Sequence, residues 1–210
     1  MSDAADAPEM PPDRPLRRGW TTGACATAAT KSALTALFTG QFEDPVTITL
    51  PGGQTPGFAL AQEAHGEGFA EAGIIKDAGD DPDVTHGALV TVRIERGAPG
   101  SGVSFHAGKG VGTITKPGLP LAVGEPAINP VPRKMMREVV EALSTQHGIA
   151  PDFAITISVK DGGKLAEKTW NPRLGILGGL SILGTTGVVS PIARATSMPR
   201  WIEWIQAEQE

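Results

Sequence analysis

The chain has 210 residues, a formal net charge of -5 and one cysteine, Cys25. That length is enough to bury a core in one large domain or two small ones. The acidic balance argues against a general nucleic-acid binder, whose footprint is a basic face, and a single cysteine excludes both an intrachain disulfide and a Cys-rich zinc centre.

There are 27 glycines and 18 prolines but no tyrosine. The glycines cluster in motifs between apolar runs, which describes a loop-rich folded protein rather than a disordered one. Residues 1–15 are rich in Ala, Asp and Pro and lack the basic start and apolar stretch of a signal peptide, so a disordered tail is expected there. No stretch approaches the roughly 18 consecutive apolar residues that span a bilayer. The expectation is a cytoplasmic protein with no membrane and no nucleic-acid partner.

Arg17-Arg18-Gly19-Trp20 leads into Thr21-Thr22-Gly23-Ala24-Cys25, and small and apolar residues continue to Phe38. This reads as a helix from near Thr22 to near Gly40, with a threonine as N-cap. Its small first turn, with Arg17 and Arg18 just upstream, suggests an anion site built on free N–H groups; close helix packing explains the same residues. Cys25 reads as a small buried filler, because no sequence feature supplies it with a base. Val46–Leu50 alternates as a strand, Pro51-Gly52-Gly53 turns the chain, and Gly57–Leu60 is its partner.

Phe69–Ile75 and Ala88–Ile94 are strand-like runs that flank Lys76-Asp77-Ala78-Gly79-Asp80-Asp81-Pro82-Asp83-Val84-Thr85-His86-Gly87. Two readings of this acidic loop stand. The aspartates can cap backbone N–H groups as Asx turns beside Gly79 and Pro82. Alternatively the loop is a site, since clustered like charges need a cation, a partner or hydrogen bonds to offset them. The EF-hand spacing is not met.

Val103–His106 is a further strand. The run Gly108–Gly118 lets backbone approach a ligand, with Lys109 and Lys116 adding positive charge, yet it matches neither the dinucleotide-binding nor the P-loop spacing. Gly124–Arg133 is extended and proline-stiffened, and a helix follows with Pro132 in its first turn, Met135, Met136, Val139, Val140 and Leu143 on one face, His147 in the last turn and Gly148 as cap. Phe153–Val159 alternates as a strand and Asp161-Gly162-Gly163 makes a turn. Asn171–Gly187 is either a buried strand in tight packing or a small-residue floor under a flat ligand, with Thr185 and Thr186 as hydrogen-bonding groups.

Five segments in this order resemble the CbiD family of cobalt-precorrin-5B C1-methyltransferases: Arg18–Ala26, Lys76–Gly87, Gly110–Gly118, Gly124–Arg133 and Asn171–Gly187. The resemblance runs from about Arg17 to Val189. It implies an α+β fold, a mixed sheet with packed helices and glycine-rich loops, in one domain over 16–190. It also implies methyl transfer from S-adenosylmethionine to C1 of a cobalt-containing tetrapyrrole, giving cobalt-precorrin-6A in cobalamin biosynthesis, with the cobalt carried by the substrate and no metal site in the protein.

Joined to the residue reading, the resemblance sorts the candidates. Asp77, Asp80, Asp83 and His86 are the catalytic candidates, for stabilising positive charge and for handling a proton or orienting a carboxylate. Arg17, Arg18, Thr21, Thr22, Lys76, Lys116, Arg133 and Arg173 are substrate-binding candidates, with Lys134, because the substrate carries carboxylates around a flat macrocycle. Gly110, Gly112, Gly184, Thr185, Thr186 and Gly187 are the candidates for the donor. Family members continue well beyond Gly184-Thr185-Thr186-Gly187, whereas 191–210 reads as a divergent tail with a short amphipathic helix around Trp201, Ile202 and Ile205. A noncatalytic corrinoid-binding module, or an inactive fragment of the enzyme, is therefore the alternative. Exposed apolar surface would favour a homodimer or association with other pathway enzymes.

Overall fold

The computed structural model describes residues 15–191. The expected N-terminal tail and the C-terminal tail with its short helix lie, apart from Pro15 and Pro191, outside the described residues.

The first helix, α1 (Thr22–Thr39), begins where the Thr21 hydroxyl accepts a bond from the Ala24 N–H at 3.1 Å and ends at Gly40, whose φ of 79° and N–H to the Ala36 carbonyl close the last turn. Its first half is buried almost all round. Alanines allow the sheet and the second helix to approach closely, and the buried hydroxyls of Thr27 and Thr30 donate to the carbonyls of Gly23 and Ala26, each at 2.8 Å, so burial costs no hydrogen bond.

Five strands form the main sheet: β4 (Gln62–Gly66), β5 (Phe69–Ile75), β6 (Leu89–Arg96), β7 (Val103–Ala107) and β9 (Phe153–Val159), in the order β4-β5-β6-β9-β7. Neighbours run antiparallel except β7 and β9, which are parallel. Register aligns Ala72, Val92 and Ile157 in one row, and Ala70, Ile74, Val90, Ile94, Ile155 and Val159 share their face. That face is buried against α1, which lies on β5 and β6, while Glu71, Arg93 and Thr156 point to the half-exposed other side. The second helix, α2 (Pro130–His147), packs beside α1 through Met135, Met136 and Val140 and ends at Gly148, with φ of 65°.

Short pairs complete the fold: β1 (Gly19–Trp20) with β11 (Val188–Val189), β2 (Val46–Thr47) with β3 (Gly57–Phe58), and β8 (Thr113–Ile114) with β10 (Ile176–Leu177). A satellite core of Ile114, Ala127 and Ile176 sits under the last pair. The architecture is α+β with a mixed sheet, as expected.

Four expectations change. The Val46–Leu50 hairpin pairs as a ladder only at 46–47, because its continuation is held by single bonds, Ile48 N–H to the Pro56 carbonyl and Leu50 N–H to the Gln54 carbonyl. Strand β4 has no counterpart among the expected elements: all five of its residues are exposed at the sheet edge, so no alternation marks them. The turn at Asp161–Gly163 becomes a short helix, α3 (Gly162–Ala166). Asn171–Gly187 is not one strand, since positive φ at Gly175, Gly178, Gly184 and Gly187 breaks it into bends around β10.

Candidate functional site

The first, second and fifth motifs meet at one place. Residues 17–20 lie between the acidic loop and the 184–189 segment, because Trp20 N–H donates to the Asp77 carbonyl at 2.7 Å, Asp80 N–H to the Arg17 carbonyl at 2.9 Å and Thr21 N–H to the Gly187 carbonyl at 3.0 Å. The fit needs glycine: a Cβ on Gly19 would stand 2.0 Å from the backbone of Ala78.

Within the loop the charges offset one another. Arg17 forks onto both oxygens of Asp77, and its backbone N–H donates to Asp80 Oδ2 at 2.7 Å. Asp77 Oδ1 also accepts the Gly79 N–H at 2.9 Å, an Asx turn. The Arg17 guanidinium first, and the Gly79 N–H second, hold the Asp77 carboxyl down at about 2. Lys76 is 1% exposed, and its Nζ donates to Asp83 Oδ2 at 2.7 Å. Asp83 Oδ1 accepts the Thr85 N–H at 2.7 Å and the Thr85 hydroxyl at 2.6 Å. Burial pushes the Asp83 carboxyl up, but Lys76 and Thr85 together outweigh it and the net direction is down. The four-aspartate loop is thus largely an internally balanced turn.

His86 is exposed, and its Nδ1 accepts the Ala78 N–H at 3.1 Å with Asp77 Oδ1 3.8 Å away. In the neutral ring the proton therefore resides on Nε2.

The structure changes the reading of several candidates. The expected anion site at the start of α1 is closed by protein: Gly23 N–H donates to the Leu183 carbonyl at 2.8 Å, and Thr21 takes the Ala24 N–H. Thr22 is buried, its hydroxyl donating to the Leu183 carbonyl at 3.3 Å and accepting the Leu183 N–H at 2.9 Å. Lys76 is turned into the protein. Arg133 clips its own segment, Nε to the Ile128 carbonyl at 2.7 Å and Nη2 to the Pro126 carbonyl at 3.0 Å, with Glu125 Oε2 at 2.8 Å. Arg18, Lys116 and Arg173 are exposed and have no carboxylate partner among the described residues, whereas Lys134 faces Glu138 at 3.8 Å.

The third, fourth and fifth motifs meet at a second place, held by the bridges Val111 to Leu180, Thr113 to Pro126 and Ile128 to Ile182. Here the glycines make room for backbone rather than for ligand. A Cβ on Gly110 would lie 2.1 Å from the Val159 carbonyl oxygen, one on Gly179 2.2 Å from the Gly110 oxygen, and one on Gly112 2.5 Å from Ile176. Gly184 and Gly187 are likewise filled, by the side chains of Thr21 and Leu50. Thr186 is spent on Val188, which leaves Thr185 exposed with an unspent hydroxyl among the described residues.

Sequence reasoning passed over Trp170, which is 49% exposed under the Arg173 guanidinium, 4.6 Å from its ring centroid. No period marks it; its only signal was position, one residue before a recognised motif. A crevice of about 300 Å³ is lined by Gly163, Ala166, Glu167, Pro172, Ile176 and Leu177. A larger depression of about 670 Å³ lies at the sheet edge around Phe42 and His65, away from every motif. No cluster of His, Cys, Asp and Glu suited to a metal ion occurs among the described residues, and no described helix is long and apolar enough to cross a membrane.

Comparison with known proteins agrees with this geometry. The profile of the family described as CbiD matches residues 10–191. A cobalt-precorrin-5B C(1)-methyltransferase of Paramagnetospirillum magneticum is 61% identical over 197 residues, 94% of this chain and 54% of that protein. One of Brucella anthropi is 62% identical over 190 residues, 90% of this chain and 50% of that protein. The crystal structure of the cobalamin biosynthesis protein cbiD from Archaeoglobus fulgidus superposes with a TM-score of 0.66 at 31% identity, covering 85% of this chain and 56% of the other. The chain spans about half the length of the curated relatives it matches. With its profile covering most of the chain and the spatially joined motifs falling inside that match, the chain belongs to the CbiD family.

Proposed function

We propose that this chain holds and orients cobalt-precorrin-5B for methyl transfer from S-adenosylmethionine to its C1, giving cobalt-precorrin-6A. The observation that carries the reading is the convergence of separate family motifs on the exposed loop that Arg17 and Asp77 preset. In the transfer an electron pair of the macrocycle forms the new bond from C1 to the methyl carbon. The carbon–sulfur bond breaks, and its pair stays on sulfur as a thioether. The sulfonium donor is already activated, so the protein contributes mainly alignment and electrostatics.

The residues take roles according to what they already hold. Arg18, Lys116 and Arg173, lacking carboxylate partners among the described residues, pair with substrate carboxylates. Lys76, Arg133 and Thr22 hold the loops in place. Asp77 and Asp83 keep the loop shape and remain ionised, and with Asp80 they supply the negative field that favours a sulfonium or a cationic macrocycle. Because Ala78 N–H takes the Nδ1 lone pair of His86, that ring acts as an Nε2–H donor that orients a carboxylate rather than as a base. Gly110 and Gly112 do not fit the donor, since backbone covers the first and the Ile176 side chain with the Gly179 carbonyl covers the second. Thr185, exposed next to Gly184, which packs on Thr21, fits as a hydrogen-bonding group for it. The protein works in the cytoplasm, with a homodimer or other enzymes of the pathway as its partners.

The test is incubation of the chain with cobalt-precorrin-5B and methyl-labelled S-adenosylmethionine, read by mass spectrometry. Label at C1, slowed about tenfold or more by Asp80→Asn, supports the reading. Turnover unchanged by Asp80→Asn rejects the role of the acidic loop. Corrinoid binding without donor binding or label assigns the chain as a binding module.

A further inference from the structure

Three features occur together on one turn. Residues 170–175 fold tightly, with Leu174 N–H donating to the Trp170 carbonyl at 3.1 Å and Gly175 N–H to the Pro172 carbonyl at 3.2 Å. The turn exposes Trp170 and lays Arg173 over its ring. Lys116 lies across the same turn: a Cβ on Gly175 would meet its side-chain carbons at 2.6 to 2.8 Å, so glycine at 175 is what lets the lysine stem cross the backbone. Thr115 fastens that crossing, its N–H and hydroxyl both donating to the Gly175 carbonyl at 2.8 and 2.7 Å.

This is unusual for a stable surface. An exposed indole is apolar area left in water. Neither cation has a carboxylate partner among the described residues, in a chain whose net charge is -5. The satellite core beneath, with Ile114, Ala127 and Ile176, holds the turn rigid, so the arrangement is preformed.

We infer that Trp170, Arg173 and Lys116 form a platform for a flat, conjugated polycarboxylate, with the indole stacking on the ring system and the two cations meeting carboxylates at its rim. This rests on the proposed function above, where the substrate is a carboxylate-bearing macrocycle, and adds Trp170 as the residue that recognises its face. A planar guanidinium on an indole is held in one orientation and meets a carboxylate with two parallel bonds, which a free surface arginine does less well. The role is positioning and specificity, and it predicts discrimination between carboxylates and their amides.

The experiment titrates the purified chain with two stable corrinoids, cobyrinic acid, which carries free carboxylates, and dicyanocobinamide, in which they are amidated. All three side chains are exposed, so their substitution leaves the fold intact, checked by circular dichroism. Trp170→Ala is expected to weaken binding of both corrinoids about tenfold, and Lys116→Ala and Arg173→Ala to weaken the acid about tenfold each while leaving the amide within about twofold. Equal affinity of wild type and all three variants overturns the platform, as does failure of the chain to bind either corrinoid. These results read binding and not methyl transfer, so loss of the platform leaves the label-transfer reading standing, and absence of label leaves a measured platform standing.

Discussion

Replacing Asp83 with alanine should be among the most damaging single changes in the acidic loop. Lys76 is one of the largest fully buried side chains, its side-chain atoms 2% exposed against 25% for those of Asp83, and the two meet at 2.7 Å. Removing one partner of such a pair strands an ammonium away from water, which costs about 3–5 kcal/mol; partial exposure of Asp83 places the expected loss near the lower end. The change also removes the acceptor for the N–H and hydroxyl of buried Thr85, about 1 kcal/mol each. A total of about 5 kcal/mol would lower the melting temperature by roughly 10–20 °C for a chain of this size. Urea unfolding and differential scanning fluorimetry at neutral pH measure it. Lys76→Met should cost much less, because Asp83 keeps Thr85 and some solvent. Adding Lys76→Met to the Asp83→Ala variant should recover about 1 kcal/mol or more of the loss, since no ammonium is then left stranded. A loss under about 1 kcal/mol for Asp83→Ala, or strictly additive effects, would refute the assignment of this pair as the anchor of the loop.

Two further outcomes follow from the packing and the charges. Gly110→Ala puts a methyl 2.1 Å from the Val159 carbonyl oxygen at a φ of 81°, and should cost on the order of 4 kcal/mol or more, while Gly40→Ala, with φ of 79° and nothing within 4 Å, should cost about 1–2 kcal/mol; equal urea midpoints for the two would contradict the close stacking of backbone at Gly110. Asp77 and Asp83 both have carboxyls held below their ordinary value of 3.8, so their contribution to stability is present above about pH 4 and is lost as pH falls below it, for Asp77 toward about 2, and Arg17→Ala should shrink the Asp77 part of that dependence, the Gly79 N–H keeping the rest, in a melting-temperature series.

The burial of Lys76 also separates two kinds of charge in the loop. A cation in an acidic loop reads equally as a substrate ligand or as a structural counter-ion, and the two differ only in which way the side chain turns. Here it turns inward, whereas Arg18, Lys116 and Arg173, on segments far apart in the chain, stay exposed.

The local elements were legible in the amino-acid sequence. Thr21 and Gly40 bound α1, and Gly148 ends α2, because unpaired helix ends demand a hydroxyl at one end and a left-handed residue at the other. Strand β9 matched its alternating run residue for residue, since side chains on a strand face opposite sides in turn, and β5 matched the strand-like run before the acidic loop. The five motifs marked the loops that converge. What only the tertiary structure decided were relations between distant residues: that β7 runs parallel to β9, that exposed Gln62–Gly66 pairs at the sheet edge, that Gly110 and Gly112 yield their space to backbone, and that Thr22 spends its hydroxyl on Leu183, 161 positions away. Periodicity reports which way a side chain faces along one element. Close approach, charge pairing and the exposure of Trp170 depend on which other element arrives opposite, and that is settled by packing of the whole chain.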